Sequence, residues 1–253
     1  MNEWLLVYLG IGAVVGFLAG LLGIGGGAIT VPLLAWALRA QGLPDAEVLH
    51  IALGTSMAVI FFTSASSMRA HHRHGAVDWK IALAITPGIL AGSFGAALVA
   101  GSLPTRPLAM IFTVLVFGAA VQIFFDLKPK TTRTLPGPAG VFAAGTVIGT
   151  ASALFAAGGA FLTIPFLMWC SVPVRRAIGT AAAVGFPIAV AGSAGYLLKG
   201  YLHWPALAAI VVVSMSLAPV GARVAYLVPV KRLRMIFATL MFAMATRMLV
   251  SLW

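Results

Sequence analysis

Two short segments of this chain carry the residue types that can hold a small anion without an ionised side chain. Gly23-Ile24-Gly25-Gly26-Gly27 is followed by Thr30 and Pro32, and Ala156-Ala157-Gly158-Gly159 by Thr163 and Pro165. Both contain the pattern Gly-Gly-x3-Thr-x-Pro. Each threonine suits the N-cap of a helix, where a hydroxyl accepts from a free N–H two or three residues on. Each proline then falls in the first turn, where a missing N–H costs little. Glycines ahead of the cap let the backbone turn sharply and approach a ligand. Two such helix N-termini would each present about half a positive charge, which together make an anion site. The candidate substrate-binding set is therefore Gly25, Gly26, Gly27, Thr30, Gly158, Gly159 and Thr163, with Pro32 and Pro165 shaping the break. One Gly-Gly pair alone reads as close helix packing; the pattern occurring twice, at equivalent places, favours a site. Gly54-Thr55-Ser56 and Gly179-Thr180 are expected to open the next helix of each half. The hydroxyls of Thr55, Ser56 and Thr180 either add donors for an oxyanion or bond back to their own helix.

The elements that position these segments follow from composition. Of 253 residues, 61% are apolar and only 8% charged, and the mean hydropathy is +1.07. A soluble domain carries about 25% charged residues, so an aqueous surface cannot be built from this supply, and the chain reads as an all-α polytopic membrane protein. The net charge of +11 is scattered in short clusters between apolar runs, which is the pattern of membrane loops and not of a nucleic-acid patch. The N-terminus lacks the basic leading region of a signal peptide. Charges divide the sequence into apolar runs at 4–38, 51–68, 81–105, 107–125, 134–174, 177–198, 204–222 and 233–253. Six fit one crossing each, at about 20 residues per crossing. Runs 4–38 and 134–174 are too long for one crossing, and each holds a glycine-rich interior, so both are expected to break in the middle.

The halves repeat each other. An offset of 133 residues places Gly25-Gly26 on Gly158-Gly159, Thr30 on Thr163 and Pro32 on Pro165. Beyond a deletion the offset becomes 125, which places Gly54-Thr55 on Gly179-Thr180, Trp79 on Trp204, and Met110-Ile111-Phe112 on Met235-Ile236-Phe237. Residues 1–126 form a first membrane repeat, 127–133 a cytoplasmic linker, and 134–253 a second repeat. Basic residues orient them. If each broken run enters and leaves on one side, as a re-entrant hairpin or two close crossings, Arg39, Arg106, Lys199 and Arg247 fall outside and the other twelve Lys and Arg inside. That split obeys the positive-inside rule. Each repeat then has three full crossings beside its broken segment, so the second copy is inverted and both termini are periplasmic.

Other chemistries find little support. The one cysteine, Cys170, allows no disulfide and no cysteine-based metal site. His71-His72-Arg73-His74 reads as a solvated cytoplasmic loop in preference to a metal site, and no metal or cofactor is expected. Neither an intramembrane Asp pair nor a Ser–His dyad is present to suggest an enzyme. All five acids lie at or near segment ends, so no carboxylate relay of the usual transporter kind is placed mid-membrane. A potential of about 100 mV, negative inside, drives each anionic charge outward by about 2.3 kcal/mol, which favours export.

The segment from Gly20 to Leu34 resembles the signature of the TauE/SafE sulfite exporter family. Ala157 to Phe166 is similar to that family's second, degenerate copy, and the Gly-Thr pairs at 54–55 and 179–180 match its helix starts. The resemblance covers essentially the whole chain. It implies transport of a sulfur-containing or organic anion, such as sulfite or a sulfonate, through the bacterial cytoplasmic membrane. Relatives that handle thiosulfate place cysteines along the path, and Cys170 alone does not reproduce that. The expected function is a secondary transporter, working by alternating access at a midplane site between two half-helix N-termini. A passive anion channel, or a non-transport subunit of a membrane complex, is the alternative.

Overall fold

The computed structural model describes residues 2–22, 26–125, 134–156, 158–225, 235, 238–243 and 245–247. Gly25, the linker 127–133 and part of the Met235-Ile236-Phe237 triplet lie outside them. The described residues form α1 (Asn2–Leu22), α2 (Gly27–Ala40), α3 (Asp45–Arg73), α4 (Trp79–Ala100), α5 (Thr105–Phe124), α6 (Pro138–Phe155), α7 (Ala160–Trp169), α8 (Val174–Leu198) and α9 (Trp204–Ala225). Six of these, α3 to α6, α8 and α9, include stretches long and apolar enough to cross a membrane. The chain is an all-α polytopic membrane protein.

Both glycine-rich runs break. Each yields a longer helix (α1, α6) followed by a short one. α2 has 14 residues and α7 has 10, about 21 and 15 Å of helix, too short to span about 30 Å of hydrocarbon. Each break ends on a glycine in the left-handed region, Gly26 at φ 70° and Gly159 at φ 80°, a conformation that costs a side-chain-bearing residue about 1–2 kcal/mol.

Glycine also sets how the long helices meet. The Cβ-less faces of Gly12 and Gly16 on α1 lie against Ile210 and Ser214 of α9, and those of Gly145 and Gly149 on α6 lie against Ile85 and Ile89 of α4. Offsets of 133 and 125 convert the first pair of contacts into the second. α1 of the first half therefore packs on α9 of the second, and α6 of the second half on α4 of the first, an exchange between halves. Small residues let such helices approach closely where water is absent to drive association.

The third helices of the two halves, α3 and α8, pack on each other at the centre. Gly54 meets the Tyr196 side chain, Gly192 meets Met57, and Gly185 meets Ser64. Position along α3 rises as position along α8 falls, so these equivalent helices run antiparallel.

Helix starts correct several expectations. The N-caps of α2 and α7 are Gly26 and Gly159, without a side-chain cap, and not Thr30 and Thr163. Glycine can take the left-handed turn earlier, so each helix begins three residues before its threonine. Pro32 and Pro165 consequently lie inside the half-helices and not in their first turns. Thr55 and Thr180 do not open their helices either. α3 begins at Asp45 behind Pro44, and α8 at Val174 behind Pro173, because a proline at that place presets the chain for helix entry. Asp45 and Glu47 in the first turn of α3 add a favourable interaction with the helix dipole.

Candidate functional site

The two breaks come together. Gly27, the first residue of α2, packs against the carbonyl oxygen of Ala156, the C-cap of α6, and against Ile60 of α3, whose Cδ1 lies 2.7 Å from where a Cβ would stand. On the other side the Gly158 carbonyl lies 2.7 Å from the Cβ position of Gly185 on α8. The α2 and α7 N-termini thus sit at the crossing of α3 and α8, at the middle of the described helices.

Thr30 and Thr163 are both buried, at 1% and 0% exposure. Their backbones behave alike, since Thr30 N–H donates to Gly26 O at 3.0 Å and Thr163 N–H to Gly159 O at 2.9 Å. Their hydroxyls do not. Thr30 Oγ1 donates to Gly26 O at 2.9 Å, whereas Thr163 Oγ1 has no partner among the described residues. Ser56 Oγ on α3 is likewise buried and unpartnered, as are Ser93 on α4, Thr113 on α5 and Ser152 on α6.

Thr55 and Thr180 hold the halves to each other. The His203 N–H donates to Thr55 Oγ1 at 3.0 Å, and the Asp78 N–H donates to Thr180 Oγ1 at 2.9 Å. The same offset of 125 relates both members of these two bonds. Beside each bond, Gly54 packs on the Tyr201 carbonyl and Gly179 on the Ala76 carbonyl. As the hydroxyls act as acceptors here, neither bond is the bond back to its own helix that sequence alone left open.

The residues that donate these bonds also cap helices. Asp78 Oδ1 accepts from Ile81 N–H at 3.3 Å at the start of α4. His203 Nδ1 accepts from Ala206 N–H at 3.2 Å at the start of α9. An acceptor nitrogen must carry no proton, and burial lowers the His203 pKa from its ordinary 6.5, which favours that neutral form. Its ring also meets Tyr8 of α1 with centroids 5.6 Å apart. Neither His203 nor Ala156 stood out in the sequence. An offset comparison pairing Asp78 with His203 was the available signal for the first, and an alanine in a glycine-rich run offers none for the second.

No Lys, Arg, Asp or Glu is buried among the described residues. Buried polar side chains among the described residues are hydroxyls and His50. His50 ring nitrogens lie 3.1 Å from Ala46 O and 3.0 Å from Leu103 O. Ion pairs sit at helix ends, Arg39 with Asp45 at 3.1 Å and Arg176 with Asp78 at 4.0 Å. Of the histidine cluster, His71 and His72 lie with Arg73 in the last turn of α3, and His72 Nδ1 accepts from Trp79 Nε1 at 3.1 Å. The described residues hold no group of three or more metal-ligating side chains. Cys170 is buried at the end of α7.

Comparison with known proteins adds a family. The model of the sulfite exporter TauE/SafE family matches residues 8–248. A probable membrane transporter protein of Haemophilus influenzae is 31% identical over 98% of this chain and 99% of its own length. Another from Bacillus subtilis is 31% identical over 85% of this chain and 87% of its own. One from Methanocaldococcus jannaschii is 26% identical, covering 94% and 93%. No solved structure matches. A match over nearly the whole length, with the glycine-broken helices in place, settles the relationship: the chain belongs to the TauE/SafE sulfite exporter family, a family of membrane transporters.

Proposed function

We propose that this protein is a secondary transporter that exports a small anion of the sulfite or sulfonate class across the bacterial cytoplasmic membrane. The observation that carries the proposal is the placing of two half-helix N-termini, each capped by a left-handed glycine, at the crossing of α3 and α8, inside a bundle with no buried Lys or Arg among its described residues. Free N–H groups at such ends favour negative charge, and an uncharged site releases its ligand more readily than one lined by cations. The family name, which refers to sulfite export, points to the same class.

Alternating access is the mechanism in this proposal. The exchanged packing of α1 on α9 and α6 on α4, with α3 and α8 antiparallel, supports two repeats of opposite orientation, the architecture in which one half rocks against the other about a midplane site. The distribution of Lys and Arg supports a periplasmic position for both termini. The bonds to Thr55 and Thr180 join the two halves at two places, contacts that a rocking carrier can break in turn.

Purified protein in liposomes loaded with sulfite or methanesulfonate tests this. Under an imposed potential, negative on the loaded side, efflux is expected to be saturable and to support counterflow. Absence of flux for every sulfur oxyanion refutes the transport assignment, and flux without saturation or counterflow replaces the carrier with a channel.

A further inference from the structure

We propose that the anion is held on one side of the junction, by the first-turn N–H groups of α7 and the hydroxyl of Thr163, and that this one-sided site takes a singly charged oxyanion. The proposal rests on the transport assignment above and narrows it to one half-site and one charge class.

The two halves are equivalent in sequence and unequal in hydrogen bonding. Thr30 and Thr163 occupy the same place, four residues beyond the capping glycine, with the same backbone bond. Thr30 has turned its hydroxyl onto Gly26 O. Thr163 has not turned onto Gly159 O. Its Oγ1 lies 3.8 Å from where a Cβ on Gly159 would stand, wholly buried and without a partner among the described residues. A hydroxyl left unsatisfied in a buried place is costly, and such groups in native proteins call for an explanation. The other unpartnered hydroxyls lie within α3, α4, α5 and α6; Thr163 is the one beside the N-terminus of a half-helix.

The neighbours of the two N-termini differ in the same sense. At α2 the Ala156 carbonyl oxygen, the negative end of a peptide dipole, packs against Gly27. It occupies the place an anion would seek. At α7 the counterpart of Gly27 is Ala160, whose own methyl fills that place, while the capping glycines Gly26 and Gly159 both meet aliphatic groups, Val15 and Ile188. An anion therefore meets a partial negative charge at α2 that the methyl of Ala160 keeps from the same place at α7.

Charge selectivity follows from this count. One helix end supplies about half a positive charge, and no Lys or Arg is among the buried described residues. The cost of bringing an ion into a low-dielectric interior rises with the square of its charge, so a dianion costs about four times as much as a monoanion of the same size. A single half-charge and a hydroxyl suit a sulfonate or hydrogensulfite and do not suit sulfate.

Isothermal titration of the full chain in lipid nanodiscs, with methanesulfonate and with sulfate, tests the proposal. Thr163→Val is expected to weaken methanesulfonate binding about tenfold or more, the scale of one hydrogen bond to a charged group. Thr163→Ser and Thr30→Val are expected to stay within about threefold of the parent, and sulfate to bind at least about 100-fold more weakly. Melting curves without ligand check that each variant is folded, and Thr163→Ala replaces Thr163→Val if the valine variant is not. Equal losses in Thr30→Val and Thr163→Val overturn the one-sided site, as does an unchanged Thr163→Val. Sulfate binding on a par with methanesulfonate overturns the charge class. If the parent binds methanesulfonate but Thr163→Val binds it equally well, this proposal alone falls; if the parent binds neither anion, the transport assignment falls with it.

Discussion

Replacing Gly149 by alanine tests whether the exchanged packing is what holds the two halves together. Gly149 on α6 faces Ile89 and Ser93 of α4, and a Cβ there would stand 2.6 Å from Ile89 O and 2.8 Å from Ser93 Oγ. Ordinary contact begins near 3.4 Å, so the backbones of α4 and α6 must part by about 0.8 Å locally to admit the methyl. A gap of 0.5–1 Å forfeits about a quarter to a half of the dispersion energy of each contact it opens, and overpacking of this kind costs about 1–3 kcal/mol. The residue at the offset of 133 supplies an internal control. Gly16 on α1 is the equivalent residue, and its Cβ would stand 2.6 Å from Ser214 O of α9, so Gly16→Ala is expected to cost a similar amount. Gly95 on α4 has nothing within 4 Å of its Cβ position, and Gly95→Ala is expected to be neutral or to stabilise by up to about 1 kcal/mol through helix propensity alone. Thermal unfolding of the detergent-purified variants, followed by intrinsic tryptophan fluorescence, reads all three. If Gly149→Ala and Gly95→Ala melt together, or Gly16→Ala is harmless while Gly149→Ala is not, the packing described here is wrong.

The cap of α9 predicts a sensitivity to acid. Because burial lowers the His203 pKa, its contribution to stability is fully present above the ordinary histidine value of about 6.5 and is lost as pH falls below it. His203→Asp, which copies the cap that Asp78 gives α4, is expected to flatten the melting temperature between about pH 6.5 and 5; an unchanged pH profile would show that His203 is not the group responsible. The two threonine bonds predict a reciprocal pattern. Thr55→Val is expected to speed hydrogen exchange at His203 and leave Asp78 protected, and Thr180→Val to do the reverse, each by the 1–3 kcal/mol (about) of an unpartnered N–H. Mass spectrometry of exchange reads both, and loss of protection at both places in either variant would refute independent bonds.

Much of the architecture was legible in the amino-acid sequence because it depends on short-range chemistry. With 8% charged residues, the chain has no alternative to a bilayer, and charges placed between apolar runs mark where it leaves the hydrocarbon. Apolar runs too long for one crossing, with glycines in the middle, had to break. Two constant offsets relate the halves in sequence, and the contacts of Gly12, Gly16, Gly145 and Gly149 follow the same offsets. The resemblance to the TauE/SafE family rested on those same segments.

What tertiary structure decided is which polar group meets which. A threonine after a glycine pair looks like a cap, but the left-handed turn at Gly26 and Gly159 begins each half-helix earlier, and no local pattern distinguishes the two starts. Thr55 and Thr180 find partners 148 and 102 residues away, a choice made by helix packing and invisible to periodicity. Thr30 and Thr163 sit in matching motifs yet differ in whether the hydroxyl is used. Sequence determined that two equivalent half-helix ends exist, since glycine and proline act on their immediate neighbours. Only the fold, by pairing the hydroxyl of Thr30 and leaving that of Thr163 without a partner among the described residues, made the two threonines unequal.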